Sequence, residues 1–217
     1  MSSFGTMDVR RRGGGEIRMA GLLPHEPPPC IAPAAMPNAL LPSERSLDRS
    51  IVLVGLMGVG KSTVGRRLAR RLGLPFADSD EEIERAADHE IKEIFDRFGE
   101  ASFRDGERRV LRRLIAGERK VIATGGGAFM DGETRALILE SCIAIWLEAG
   151  AETLAKRVVR RGHRPLLAGK DPLLLLRELA EVRNPIYAQA HLRVSSGPGP
   201  HEQIVERIVE ALAERYG

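Results

Sequence analysis

The run Gly55-Leu56-Met57-Gly58-Val59-Gly60-Lys61-Ser62-Thr63 puts glycines, a lysine and two hydroxyl side chains in the order G-x-x-x-x-G-K-[ST]. Each residue type suits the capture of a polyphosphate. Glycines at 55, 58 and 60 let the backbone take positive φ and approach a ligand with no Cβ in between. Backbone N–H groups of such a loop converge on an anion, and the helix N-terminus that follows adds partial positive charge. Lys61 is long enough to reach β- and γ-phosphates, and the Ser62 hydroxyl suits Mg²⁺. At average residue usage the bare pattern arises by chance in about one chain in a hundred of this length. The apolar run Ile51-Val52-Leu53-Val54 before it and the helical spacing of Val64, Leu68 and Leu72 after it supply the strand–loop–helix context the motif requires. A nucleotide-phosphate site is the expectation.

Other polar residues stand where strands should end. Leu74-Pro75-Phe76-Ala77 reads as a short strand that delivers Asp78-Ser79-Asp80. In open parallel sheets ligands bind at the carboxyl ends of strands, so these carboxylates are expected to face the phosphate loop. On an extended chain alternate residues share a side, which would let Asp78 and Asp80 serve one site. Lys120-Val121-Ile122-Ala123-Thr124 reads as another strand and runs directly into Gly125-Gly126-Gly127. Three glycines there can be a plain turn, or a backbone brought close to a small polar ligand. Arg104 and Glu107 sit one helical turn apart and read as a surface ion pair of little energetic weight.

The elements that must position these groups alternate between strand and helix. Gly73 is expected to stop the helix after the phosphate loop. Ile91, Ile94, Phe95 and Phe98 form a helical stripe ended by Gly99, and Phe103, Val110, Leu111 and Leu114 form a second. Cys142-Ile143-Ala144-Ile145-Trp146-Leu147 has the near-continuous apolar character of a central parallel strand, which makes Cys142 a core residue. A helix over about 152–158 leads to the basic connector 160–167, whose His163 reads as an exposed loop residue. Asp171 and Pro172 read as N-cap and first residue of a further helix, with Arg183 following that helix. Leu192-Arg193-Val194 is the last strand, and Ile204, Ile208 and Leu212 line one face of the closing helix. The predicted fold class is α/β, a three-layer sandwich with a central parallel sheet.

The totals agree with one soluble globular unit. Of the 217 residues, 43% are hydrophobic and 29% charged, and the formal net charge of +3 is too small to argue for a polyanionic partner. Cys30 and Cys142 are too far apart in dissimilar contexts to form a disulfide framework or a zinc motif. No apolar run approaches the roughly 18 residues of a membrane span. Residues 1–47 differ from the rest, with Arg10-Arg11-Arg12, Gly13-Gly14-Gly15 and a scatter of prolines. They are expected to form a disordered extension, because proline denies regular structure and few apolar residues recur.

Taken together, Gly55–Thr63, Phe76-Ala77-Asp78-Ser79-Asp80, Phe103-Arg104, Gly125-Gly126-Gly127, Arg164-Pro165-Leu166-Leu167 and Arg183-Asn184-Pro185-Ile186-Tyr187 resemble the shikimate kinase family. The resemblance runs from about Ser50 to the C-terminus. It implies the P-loop kinase fold over 48–217, a substrate-binding region over about 80–108 and a lid over about 160–172. It further implies transfer of the γ-phosphoryl group of ATP to the 3-hydroxyl of shikimate, with Mg²⁺, on the route to chorismate and the aromatic amino acids. By resemblance, Gly58, Val59, Gly60, Lys61, Ser62 and Thr63 bind ATP phosphates, with Arg164 on the lid and Arg157 against the adenine. Ser62 and Asp78 serve the metal. Asp80, Arg104, Gly125, Gly126, Gly127 and Arg183 hold shikimate, and Lys61, Asp80 and Arg164 are the expected catalytic residues. The planar forks of Arg104 and Arg183 suit a carboxylate, and Asp80 suits hydroxyls. The loop Ser195-Ser196-Gly197-Pro198-Gly199-Pro200 lacks the basic residue the family often places near the adenine. Substrates are the expected partners, with no nucleic acid or membrane, for a cytoplasmic monomer. The competing readings are a gluconate-type kinase of the same fold and a non-catalytic nucleotide-binding protein.

Overall fold

Five short strands, each flanked by helices, form the core. The computed structural model describes residues 48–161, 171–197 and 199–217. The expectations for residues 1–47 and for Arg164 lie outside these residues, as does most of the lid segment. The strands are β1 (Ser50–Val54), β2 (Phe76–Asp78), β3 (Val121–Ala123), β4 (Cys142–Glu148) and β5 (Leu192–Ser195). All pair in parallel, in the order β2-β3-β1-β4-β5. Parallel strands need crossovers, and the intervening segments supply them as helices on both faces. They are α1 (Lys61–Leu72), α2 (Ser79–Ala87), α3 (Ile91–Ala116), α4 (Gly132–Ser141), α5 (Ala151–Arg161), α6 (Pro172–Tyr187) and α7 (His201–Tyr216). β1 and most of β4 are covered on both faces, which is why their sequences are apolar without alternation. Cys142 is a buried, free thiol at the start of β4, as expected of a core residue.

Register places the polar loops at one level. Leu53 of β1 and Asp78 of β2 both pair with Ala123 of β3. The chain therefore leaves all three strands at the same edge, toward Gly55, Ser79 and Thr124. Gly73 ends α1 in the left-handed region (φ 66°), and Val64 and Leu68 are buried. Asp171 caps α6 by accepting from the Leu173 N–H at 2.8 Å.

Three local expectations need correction. The chain leaves extended geometry at Asp78, so Asp80 does not share a strand face with it. Asp78 is the N-cap of α2, accepting from the Asp80 N–H at 3.1 Å, and Asp80 lies in the first helical turn. The helix after Asp171 does not stop before Arg183 but runs through Pro185 to Tyr187. An interior proline costs a helix about 3 kcal/mol. Here the burial of Tyr187 beyond it anchors the last turn. Gly99 interrupts the helix as expected, its non-helical φ 77° and ψ 172° separating two helical runs within α3, but Phe98 beside it leaves the core face and is 56% exposed.

Candidate active site

The loop between β1 and α1 has the backbone its glycines were expected to supply, with φ of 139°, 80° and 100° at Gly55, Gly58 and Gly60. Lys61 is nearly buried, and its Nζ donates to the carbonyls of Gly55 (2.7 Å) and Leu56 (3.1 Å). Lys61, Ser62, Asp78, Asp80 and Gly126 line one cavity with the phosphate loop. The strand register explains this, since these residues lie at or beyond strand ends that share one level of the sheet.

The three glycines after β3 join the phosphate loop to the rest of the site. A Cβ on Gly125 would stand 2.7 Å from Asp80 Oδ1, and one on Gly127 would stand 2.7 Å from Arg104 Nη2. Either is inside contact distance, so a larger residue at 125 or 127 would push the Asp80 carboxylate or the Arg104 guanidinium out of its present position. The corresponding point on Gly126 is 3.6 Å from the Met57 amide nitrogen and 3.9 Å from Arg183 Nη1. Asp80, Arg104 and Arg183, from α2, α3 and α6, thus surround one backbone segment that abuts the phosphate loop. The buried Ser79 hydroxyl accepts from the Gly125 N–H at 3.0 Å and ties the Asp-Ser-Asp turn to the same segment.

The Arg104–Glu107 pair is not the surface pair the spacing suggested. Glu107 is only 2% exposed, and its Oε2 accepts from Arg104 Nη1 at 2.7 Å. Its Oε1 is enclosed with no hydrogen-bond partner among the described residues. Burial pushes the Glu107 carboxyl above the usual glutamate range, against the hydrogen bond and charge of Arg104, while Asp80 and Asp131 repel its charge. The guanidinium stays cationic, so this pair orients Arg104 at some cost to Glu107. Removing one partner of a buried pair costs about 3–5 kcal/mol, which sets it apart from exposed pairs at under about 1 kcal/mol.

A stability measurement tests that environment. An acid whose pKa is higher in the folded than in the unfolded state loses stabilising power as pH climbs from its ordinary value, near 4.5, through the raised one. Glu107→Gln removes this titration. The melting temperature of Glu107→Gln relative to wild type is expected to rise as pH increases from about 4.5 and to level off once the raised carboxyl has ionised in the folded state. A difference that stays flat or falls over that range would refute the raised carboxyl.

On the other side of the phosphate loop, Arg157 donates to Val59 O (3.3 Å), Ser196 Oγ (3.2 Å) and Gly197 O (2.8 Å). The loop before α7 is thereby tied to the phosphate loop, and His201 Nε2 comes within 3.9 Å of where a Gly60 Cβ would be. Sequence reasoning missed Glu107, Ser79 and Tyr187 as site residues. Tyr187 had a signal, since it closes the Arg183–Tyr187 motif.

The comparisons with known proteins fit this geometry. The family model described as shikimate kinase matches residues 57–213. The chain belongs to the shikimate kinase family. A shikimate kinase of Zymomonas mobilis subsp. mobilis is 59% identical over 164 residues, covering 76% of this chain and 93% of the relative. One from Caulobacter vibrioides is 56% identical over 168 residues, covering 77% and 84%. Among solved structures, shikimate kinase from Acinetobacter baumannii in complex with shikimate superposes with a TM-score of 0.74. It is 37% identical, and the match covers 78% of this kinase and 96% of that chain.

Proposed function

We propose that this kinase transfers the γ-phosphoryl group of ATP to the 3-hydroxyl of shikimate, releasing shikimate 3-phosphate and ADP. The observation that carries the reading is the meeting of Asp80, Arg104 and Arg183 around the Gly125–Gly127 backbone, in a site continuous with Lys61. A phosphate grip alone fits any P-loop protein. An acidic residue beside two guanidinium groups suits a small acceptor bearing a carboxylate and hydroxyls.

The roles follow from position. Gly58 to Thr63 hold the phosphates, and Arg157 stands on the nucleotide side. Arg104 and Arg183 bind the acceptor's carboxylate, and the Gly125–Gly127 backbone lines its pocket. Asp80 accepts hydrogen bonds from the acceptor's hydroxyls and takes the proton of the attacking one. A bond forms between that oxygen and the γ-phosphorus as the bond to the β–γ bridging oxygen breaks, and ADP leaves. Lys61 meets the charge that develops on the transferred group. The donor set fits Mg²⁺, because the Ser62 hydroxyl and the Asp78 carboxylate line the same cavity. Mg²⁺ favours one or two protein oxygens plus phosphate and water over an all-protein cage. When bound, it neutralises phosphate charge. Residues 48–217 form the catalytic unit, acting as a cytoplasmic monomer.

A coupled assay for ADP release tests the reading. Release is expected to depend on shikimate. Release that is independent of shikimate, or that prefers gluconate, would overturn it.

A further inference from the structure

A carbonyl oxygen has two lone pairs, and that of Gly126 is met by two side chains of α6. Arg183 Nη1 donates at 3.1 Å and Tyr187 Oη at 2.5 Å. Four residues apart on a helix, the two side chains lie on one face. Tyr187 is 1% exposed. Its ring stacks between Phe129 (6.3 Å, 18°) and Trp146 (6.1 Å, 26°). Phe129 belongs to the 3₁₀ turn Ala128–Met130, directly after the glycines, and Trp146 lies near the end of β4. The hydroxyl is therefore delivered by a ring wedged between the glycine loop's continuation and the sheet. Burial pushes the phenol up to about 12, so it keeps its proton and donates throughout the working pH range.

The two arginines of the site differ in what holds them. Arg104 pairs with Glu107 and Glu100. Among the described residues no carboxylate lies within ion-pair distance of Arg183, which donates to Gly126 and also meets the Tyr187 hydroxyl. We propose that Tyr187 is a positioning residue of the acceptor pocket: by satisfying the Gly126 carbonyl it fixes the glycine-loop peptide and leaves Arg183 able to face the acceptor's carboxylate. Without the hydroxyl, a sheltered carbonyl keeps a single donor. Arg183, which already shares this part-buried carbonyl, then becomes its one donor among these two and is held more firmly on Gly126, away from substrate. This inference rests on the assignment of Arg183 to the acceptor given above.

Steady-state kinetics of the full chain test it, using wild type, Tyr187→Phe, Arg183→Ala and the double variant. Phenylalanine keeps the stacked ring and removes only the oxygen. Arg183→Ala is expected to raise KM for shikimate well above any change in KM for ATP. Tyr187→Phe is expected to raise KM for shikimate about 5- to 20-fold and to leave KM for ATP within about twofold. Because Tyr187 acts through Arg183, adding it to Arg183→Ala should change the shikimate KM by less than about twofold. An unchanged shikimate KM in Tyr187→Phe, a joint rise of both KM values, or additivity in the double variant overturns the positioning role and leaves the Arg183 assignment standing. An Arg183→Ala enzyme with normal KM for shikimate overturns both.

Discussion

Lys61→Ala is expected to lower kcat by about 100-fold or more, equivalent to about 2.7 kcal/mol of lost transition-state stabilisation. The ammonium group is nearly buried and hydrogen-bonded to the Gly55 and Leu56 carbonyls, so it is held at the phosphate loop and does not wander in solvent. Held charge in a sheltered site acts on a developing negative charge far more strongly than the same charge in water. Phosphoryl transfer needs little beyond alignment and charge neutralisation, so this loss should fall on kcat. A melting curve close to wild type would show that the truncation spares the fold. A variant that folds and retains near-full kcat would remove Lys61 from the catalytic set.

Asp80→Asn is expected to cost about 100- to 10,000-fold in kcat. The substitution preserves shape and much of the hydrogen bonding but removes the carboxylate that can take the hydroxyl proton. The Asp80 backbone is held by its N–H on Asp78 Oδ1, and its carboxylate lies beside Gly125, where an added Cβ would stand 2.7 Å from Oδ1. Its geometry should therefore survive the change. Initial rates over a matrix of ATP and shikimate concentrations separate the possibilities. A rise in KM for shikimate with unchanged kcat would make Asp80 a binding residue only.

What could be read from residues alone depended on how local each cause was. The phosphate loop was legible because its motif, its strand and its helix are contiguous, and the positive φ values at Gly55, Gly58 and Gly60 follow from residue type. The alternation of strands and helices was legible for the same reason. Helix α4 carried no such signal. Its apolar residues Ala136, Leu137, Ile138 and Leu139 are consecutive and not striped, and its start is marked by Asp131 accepting from the Thr134 N–H. The burial of Glu107 was not legible either. Spacing of i and i+3 says that two side chains meet, but the groups that cover them, Gly125 and Asp80, come from other elements. At Pro185 a sound local rule lost to a tertiary anchor, because the buried Tyr187 lies two residues beyond the proline.

The span of the contacts around Gly126 bears on the order in which the enzyme assembles. The lysine's grip on its own loop closes over six and five residues. The bonds that complete the acceptor side close over 57 and 61 residues. Distant closures wait for the intervening chain, so a polypeptide still emerging from the ribosome has its phosphate motif before it can have anywhere to seat an acceptor. Only after α6 has been synthesised does the second half of the reaction centre exist.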